Sequence, residues 1–241
     1  STPKPSSAAS DVYKRQLRVL LERRIDGLIV ATVASDAAFA QALASLKVPL
    51  MLVDRSLDGV TADRVQVDHE RGAYLATRHL IELGHRRIAC IGGPASTQVV
   101  QLRAAGYRRA LAEAGVEAQP VVDCAFTSPA GHAAAQVLLS GDEVPTAIFA
   151  GNDMIALGVL RAAAECQVSV PRQLSVVGFD DIEVSRYLHP ALTTVGQSIG
   201  QLGETAAARL LARIRTPGLS AEQRLIEPTL VLRESSAAPL V

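Results

Sequence analysis

The chain has 241 residues, with 24 Lys+Arg balanced by 24 Asp+Glu. No net field draws it to nucleic-acid phosphates, so any DNA contact needs a local basic element. Its residues are 49% hydrophobic but only 3% aromatic, with no Trp, so the core must come from Ala, Val, Leu and Ile, and the three cysteines (Cys90, Cys124, Cys166) lack the spacing of a zinc site or disulfide framework.

Residues 1–16, STPKPSSAASDVYKRQ, are polar and aperiodic, and a helical pattern starts at Leu17 with Leu17, Leu20 and Leu21 on one face. Short apolar runs then predict strands at 26–32, 49–54, 64–68, 87–93, 121–126, 146–151 and 174–181. Amphipathic stretches predict helices near 36–46, 70–83, 98–114, 129–139, 152–166 and 198–214. Gly84 ends one helix, and Gly115 with the following Pro120 ends another. Residues 216–223 form a turn. Pro228 interrupts the extended run 225–233, making it an edge strand or a crossover, and SSAAPLV is a loose tail. Strict alternation of strand and helix implies right-handed crossovers and a parallel sheet covered on both faces, an α/β, doubly wound architecture used twice over.

No run reaches the roughly 18 apolar residues of a membrane span, and no charged start with an apolar stretch marks a secretion signal, so a cytoplasmic protein is expected. GxxxxGK[ST], GxSxG and HExxH are absent, and in IGGPAST Pro94 and a missing glycine break the dinucleotide pattern. The five histidines, His69, His79, His85, His132 and His189, show no relay or ligand spacing, and His85 reads as a polar cap of a helix-to-strand turn. An enzyme, a cofactor and a metal are therefore not expected.

Polar residues do gather at the carboxyl ends of strands, where open α/β sheets bind ligands. They are Asp68, then Ser96 and Thr97 leading to Arg103, then Asn152 and Asp153, then Asp180 and Asp181. Planar carboxylates, amides and guanidinium groups suit an uncharged, many-hydroxyl ligand. Each also has a plainer role. Asp153 reads first as a helix cap, Asn152 equally as cap or ligand contact, Asp180 and Asp181 as caps of IEVSRYL, and a buried Arg103 as the partner of one of those acids.

The segment 145–197, PTAIFAGNDMIALGVLRAAAECQVSVPRQLSVVGFDDIEVSRYLHPALTTVGQ, closely resembles the effector-binding core of LacI/GalR-type bacterial transcription regulators. RRIDGLIV, VPLMLVDR, VQVDHERGAYLATRHLIELGHRRIACIGGP, LRAAGYRRAL and LIEPTLVLRESS extend the resemblance over about residues 17–236. It implies two periplasmic-binding-protein-like lobes, 17–93 plus 195–226 and 94–194 plus 227–236, with 237–241 as a tail. The three crossings would fall at Gly92–Pro94, LTTVGQ and the Pro228 region, and a small sugar-like effector would lie between the lobes.

The resemblance also implies roles. Arg103 would grip the effector, Asp180 bind it from the far side, Asn152 supply an amide and Phe149 a packing ring, while Asp68 and Thr97 would occupy positions that reach the effector in some members. It further implies a homodimer and an operator-binding helix-turn-helix head that, with the first strand, helix and second strand of the first lobe, would precede Leu17. Without those strands the first lobe is expected to be marginal, with an exposed sheet edge. A periplasmic sugar-binding protein is the alternative. DVYKRQ resembles the in-frame translation of a sequencing-library transposon end, so 1–16 reads as a non-native leader, the alternative being a natural Ser/Pro-rich linker.

Overall fold

The structure is a computed structural model that describes Arg15, Leu17, Val19, Leu20 and residues 22–31, 37–54, 57 and 59–240. The leader proposed for 1–16 lies, apart from Arg15, outside the described residues. The chain divides into two compact units, Ser1–Val67 with Ile199–Ile226, and Asp68–Ser198 with Glu227–Val241.

In the first unit, β1 (Leu28–Val30), β2 (Leu50–Val53), β3 (Asp63–Val67) and β8 (Gln223–Ile226) form a parallel sheet in that order. Strand alternation sends Leu50 and Leu52 to one face, where they meet Phe39, Ala40 and Leu43 of α1 (Ala37–Ala44). Met51 points to the other face and packs with Val65, Val67 and the buried Leu202 and Ala206 of α6 (Ile199–Arg215). Asp63, 1% exposed, closes this layer: it pairs with Arg209 Nε at 2.7 Å and Arg213 Nε at 3.1 Å and accepts from the Glu222 amide at 2.9 Å. Among the described residues β1 pairs only with β2, so it is an edge, and Ile29 on it is exposed.

In the second unit the sheet order is β4 (Ile88–Ile91), β5 (Ala147–Ala150), β6 (Ser175–Asp180), β7 (Thr193–Gly196) and β9 (Thr229–Val231), parallel except for the antiparallel β9 edge. Cys90, Phe149, Val177 and Phe179 face α2 (His69–Glu82) and α3 (Gln98–Glu113). Ala89, Ile91, Ile148 and Val176 face α4 (Ser128–Leu139) and α5 (Asp153–Glu165). The helix pairs sit close because glycines admit the neighbour's backbone. A Cβ on Gly106 would lie 2.0 Å from the Glu70 carbonyl, and one on Gly158 would lie 2.1 Å from that of Ser128.

Five expectations are corrected. The units divide at Val67–Asp68, not at Gly92–Pro94, because β4 pairs with β5 and α2 packs on the second sheet. LTTVGQ supplies β7, an interior strand, and the chain crosses after Ser198. Residues 121–126 make only a one-residue bridge, Val122 to Ile91, since Asp123 turns away to accept from the Ala95 amide. The tail is not loose, and His85 is no simple cap. His85 Nδ1 meets Thr146 Oγ1 at 2.9 Å, while its Nε2 meets Ser175 Oγ at 3.0 Å and the Ala237 carbonyl at 2.9 Å. His79 Nε2 holds Ser236 Oγ at 2.9 Å, and Ser235 is fully buried.

Burial lowers the affinity of both His79 and His85 for a proton below the ordinary imidazole value of 6.5. The unfolded chain then binds protons that the folded chain refuses, so stability is complete above about pH 6.5 and falls as the pH drops through that value. The thermal midpoint is expected to fall between pH 7.5 and 5.5, by about 2–4 °C for each kcal/mol lost. His85→Gln, which keeps a donor near the Nε2 position, should flatten that fall in a calorimetric pH series.

Candidate functional site

Helical period places Arg103 on the buried face of α3, one turn before Tyr107 and two before Ala110 and Leu111. A guanidinium there must find partners, because burying an unpaired charge costs several kcal/mol. Arg103 is 4% exposed and sits over the Phe179 ring, its Cζ 3.7 Å from the centroid. Its Nη1 donates to the Gly151 carbonyl at the end of β5, and its Nη2 donates to His69 Nδ1 at 3.3 Å and Asp180 Oδ1 at 3.4 Å.

Asp180 ends β6 and, with Asp181, has a positive φ, 116° and 52°. Two consecutive non-glycine residues in that region turn the chain sharply and carry strain that the surroundings must hold. The turn directs the Asp180 carboxylate to Arg103, where it also accepts from Gln197 Nε2, and sends Asp181 to Arg233 at 2.6 Å. Asp180 remains 24% exposed at its side chain. Neither acid caps IEVSRYL. That role falls to Asp153, whose Oδ2 accepts from the Ile182 amide at 3.0 Å.

Asn152, not Asp153, caps α5: its Oδ1 accepts from the Ile155 amide at 2.8 Å, which directs the Nδ2 group elsewhere. Asp153, one residue on, turns inward and is fully buried, accepting from Ser185 Oγ at 2.7 Å and from Thr194 Oγ1. Burial pushes its carboxyl above the ordinary value, and the Thr194, Ser185 and Ile182 donors pull it back. Gly178 makes the room, since a Cβ there would lie 2.2 Å from Asp153 Oδ1.

The structure thus brings Arg103, Asp180 and the strand end that bears Asn152 together, and gives the other candidates local roles. Phe149 is fully buried in the core beside Tyr107 and Val177, so it offers no ring face to a ligand. Asp68 caps α2 through the Arg71 amide at 2.9 Å. Thr97 precedes α3, half-buried, with its hydroxyl donating to the Pro94 carbonyl at 2.9 Å. Sequence reasoning missed His69, Phe179 and Gln197. His69 carries the same signal as Asn152, a polar residue opening a helix just after a strand, and Phe179 is the apolar neighbour of Asp180. Among the described residues no group of three His, Cys, Asp or Glu could hold a metal, and burial pushes the Cys90 thiol up to about 12, making it inert as a nucleophile.

The description "Periplasmic binding protein-like domain" matches residues 77–236. The ribose operon repressor of Haemophilus influenzae is 36% identical over 225 residues, covering 92% of this chain and 67% of that protein. The chain belongs to the LacI family of transcriptional regulators. The repressor PurR of Aliivibrio salmonicida is 34% identical, covering 93% of this chain and 68% of its own length. A LacI family regulator from Enterococcus faecium with bound ribose superposes with a TM-score of 0.81 at 32% identity, covering 91% of this chain and 83% of that one. The chain therefore spans about two thirds of the length of its curated relatives. It is the effector-binding core of a LacI-type regulator, not a transporter's binding protein, and its relatives are repressors rather than enzymes.

The buried Asp153 should prove structural. Asp153→Asn places an amide donor among three existing donors, and the loss is expected to be about 3 kcal/mol, as for other broken buried charge networks. Urea unfolding of the variant against the parent measures it.

Proposed function

We propose that this chain senses a small neutral sugar, of which D-ribose is the first candidate, and passes its occupancy to operator DNA. The observation that carries the reading is the Arg103–Asp180 pair, a guanidinium and a carboxylate fixed side by side at the carboxyl ends of the second unit's strands. Their charges cancel, which favours an uncharged ligand, and each is a planar fork able to hold adjacent hydroxyls. Asn152 and Gln197 add amides at the same strand ends. Phe179 serves the guanidinium, and Phe149 the core, so recognition rests on hydrogen bonds more than on ring stacking.

Binding shifts operator affinity only if the sugar prefers one conformation of the regulator, and the coupling is then reciprocal between sugar and DNA. Operator contact is assigned to the remaining third of the relatives' length, as a helix-turn-helix read by a homodimer on a two-fold operator. The exposed Val184 of the Glu183–Arg186 turn, Tyr187 just after it and Met154 beside the Asp153 that holds the turn would offer apolar surface for such pairing. A cytoplasmic location follows from the same reading, and no described helix is long and apolar enough to cross a membrane.

Titration calorimetry with D-ribose, and with hypoxanthine as a comparator, tests the proposal. The expected result is saturable binding of ribose and weaker or no binding of the purine, and the reverse order would overturn it. Arg103→Ala should weaken ribose binding at least about 100-fold, or ~2.7 kcal/mol.

A further inference from the structure

We infer that His69 is a positioning residue for the effector grip, an acceptor whose Nδ1 fixes the pose of the Arg103 guanidinium. The inference rests on the reading of Arg103 as the group that holds the sugar. A guanidinium has five donors and no acceptor, so the 3.3 Å contact between Arg103 Nη2 and His69 Nδ1 requires a lone pair on Nδ1, and hence a neutral ring with its proton on Nε2. Three features of the surroundings favour that state. His69 is 2% exposed; it is the first residue of α2, where the positive end of the helix dipole opposes a second cation; and the cation beside it is Arg103 itself.

Position and packing hold the ring still. Asp68 caps the helix through the Arg71 amide, so the first turn that carries His69 cannot fray. The imidazole leans on the Phe179 ring, centroids 5.8 Å apart and planes 38° from parallel, and the Arg103 guanidinium lies on that same ring. Phe179 in turn fills the space left by Gly72, where a Cβ would approach its ring to 2.7 Å. The Phe179 face holds the guanidinium carbon in place but does not by itself set the rotation of the group. Among the described residues, the Gly151 carbonyl on Nη1 and, on Nη2, His69 at 3.3 Å and Asp180 at 3.4 Å set the rotation together. Loss of the His69 acceptor lets Arg103 turn toward Asp180 and present its fork to the ligand at a different angle. Among the described residues, the charged groups near the imidazole include Arg103 from α3 and Asp180 from β6, with Asp68 and Glu70 flanking it on its own segment.

Two variants separate positioning from simple packing. Asn places its Oδ1 on the same Cγ branch as the Nδ1 of His and keeps the acceptor, whereas Leu keeps the bulk and removes it. With D-ribose as the probe in titration calorimetry, His69→Asn should bind within about 3-fold of the parent and His69→Leu at least about 10-fold more weakly, with thermal midpoints showing both folded. A folded Leu variant that binds like the parent, or a folded Asn variant that binds as weakly as the Leu one, overturns the inference. Long-range proton–nitrogen NMR of the histidine rings at pH 7.5, without ligand, reads the tautomer directly. Nδ1 bare and Nε2 protonated on His69 supports the inference, and a protonated Nδ1 overturns it. If the parent takes no D-ribose, the sugar reading fails, while the His69 tautomer still decides the positioning role.

Discussion

The second unit is organised around one buried cation. A guanidinium removed from water must recover its hydration from fixed groups, and Arg103 recovers it from a strand-end carbonyl, an imidazole, a carboxylate and an aromatic face. Those partners come from three places in the fold: Gly151 follows β5, His69 begins α2, and Phe179 and Asp180 end β6. The ends of β5 and β6 and the start of α2 are therefore tied to α3 by one side chain. The tie also dictates backbone. Gly151 can lie against the β4 end only without a side chain, since its Cβ would fall 2.0 Å from the Gly92 carbonyl.

Asp153 supports this arrangement from the opposite face of the sheet. Asn152 takes the capping role, which frees the next residue to turn inward, and the buried carboxylate then holds Thr194 on β7 and the 182–185 turn that follows β6. The positive-φ pair Asp180–Asp181 lies between those attachments, so the strained turn that directs Asp180 to Arg103 is held on its far side. A neutral residue at 153 would satisfy fewer donors and release the turn, linking the stability of this layer to the geometry of the pair above it.

The elements themselves were legible because period is a local property. AIFA alternates two ways into two cores, and the buried stripe of α3 runs through Arg103, Tyr107 and Ala110. Which sheet an element joins is not local. Nothing in VQVDHERG marks that β3 belongs to one sheet and α2 to the other, and TTVG reads as a link because its two threonines are buried by Ser235, Ser236 and Asp153, hydrogen-bonding partners distant in sequence. The candidate site was legible to the same extent. Arg103, Asn152 and Asp180 followed from strand-end position and family resemblance, whereas the role of His69 depends on a partner 34 residues away that no spacing rule reaches. Phe149 and Asp153 are taken up inside the fold, by the core and by the β7 side, and Asp68 uses one carboxylate oxygen to cap α2 while staying half-exposed.

Two buried charge clusters on one chain show what separates scaffold from site. Asp63 begins β3, at the amino end of its sheet, where it pairs with Arg209 and Arg213 and accepts from the Glu222 amide, joining β3 to α6 and to the start of β8. Arg103 works at the carboxyl ends of its sheet, where the helices that follow parallel strands diverge and leave a crevice. The Asp63 carboxylate is closed off at 1% exposure, while the acid beside Arg103 keeps 24% of its side chain open. Burial and ion pairing are common to both, so neither marks function alone. Strand direction adds to them, because ligands of open α/β sheets approach at the carboxyl ends of the strands, and the Arg103 cluster lies at that end of its sheet whereas Asp63 lies at the amino end of its own.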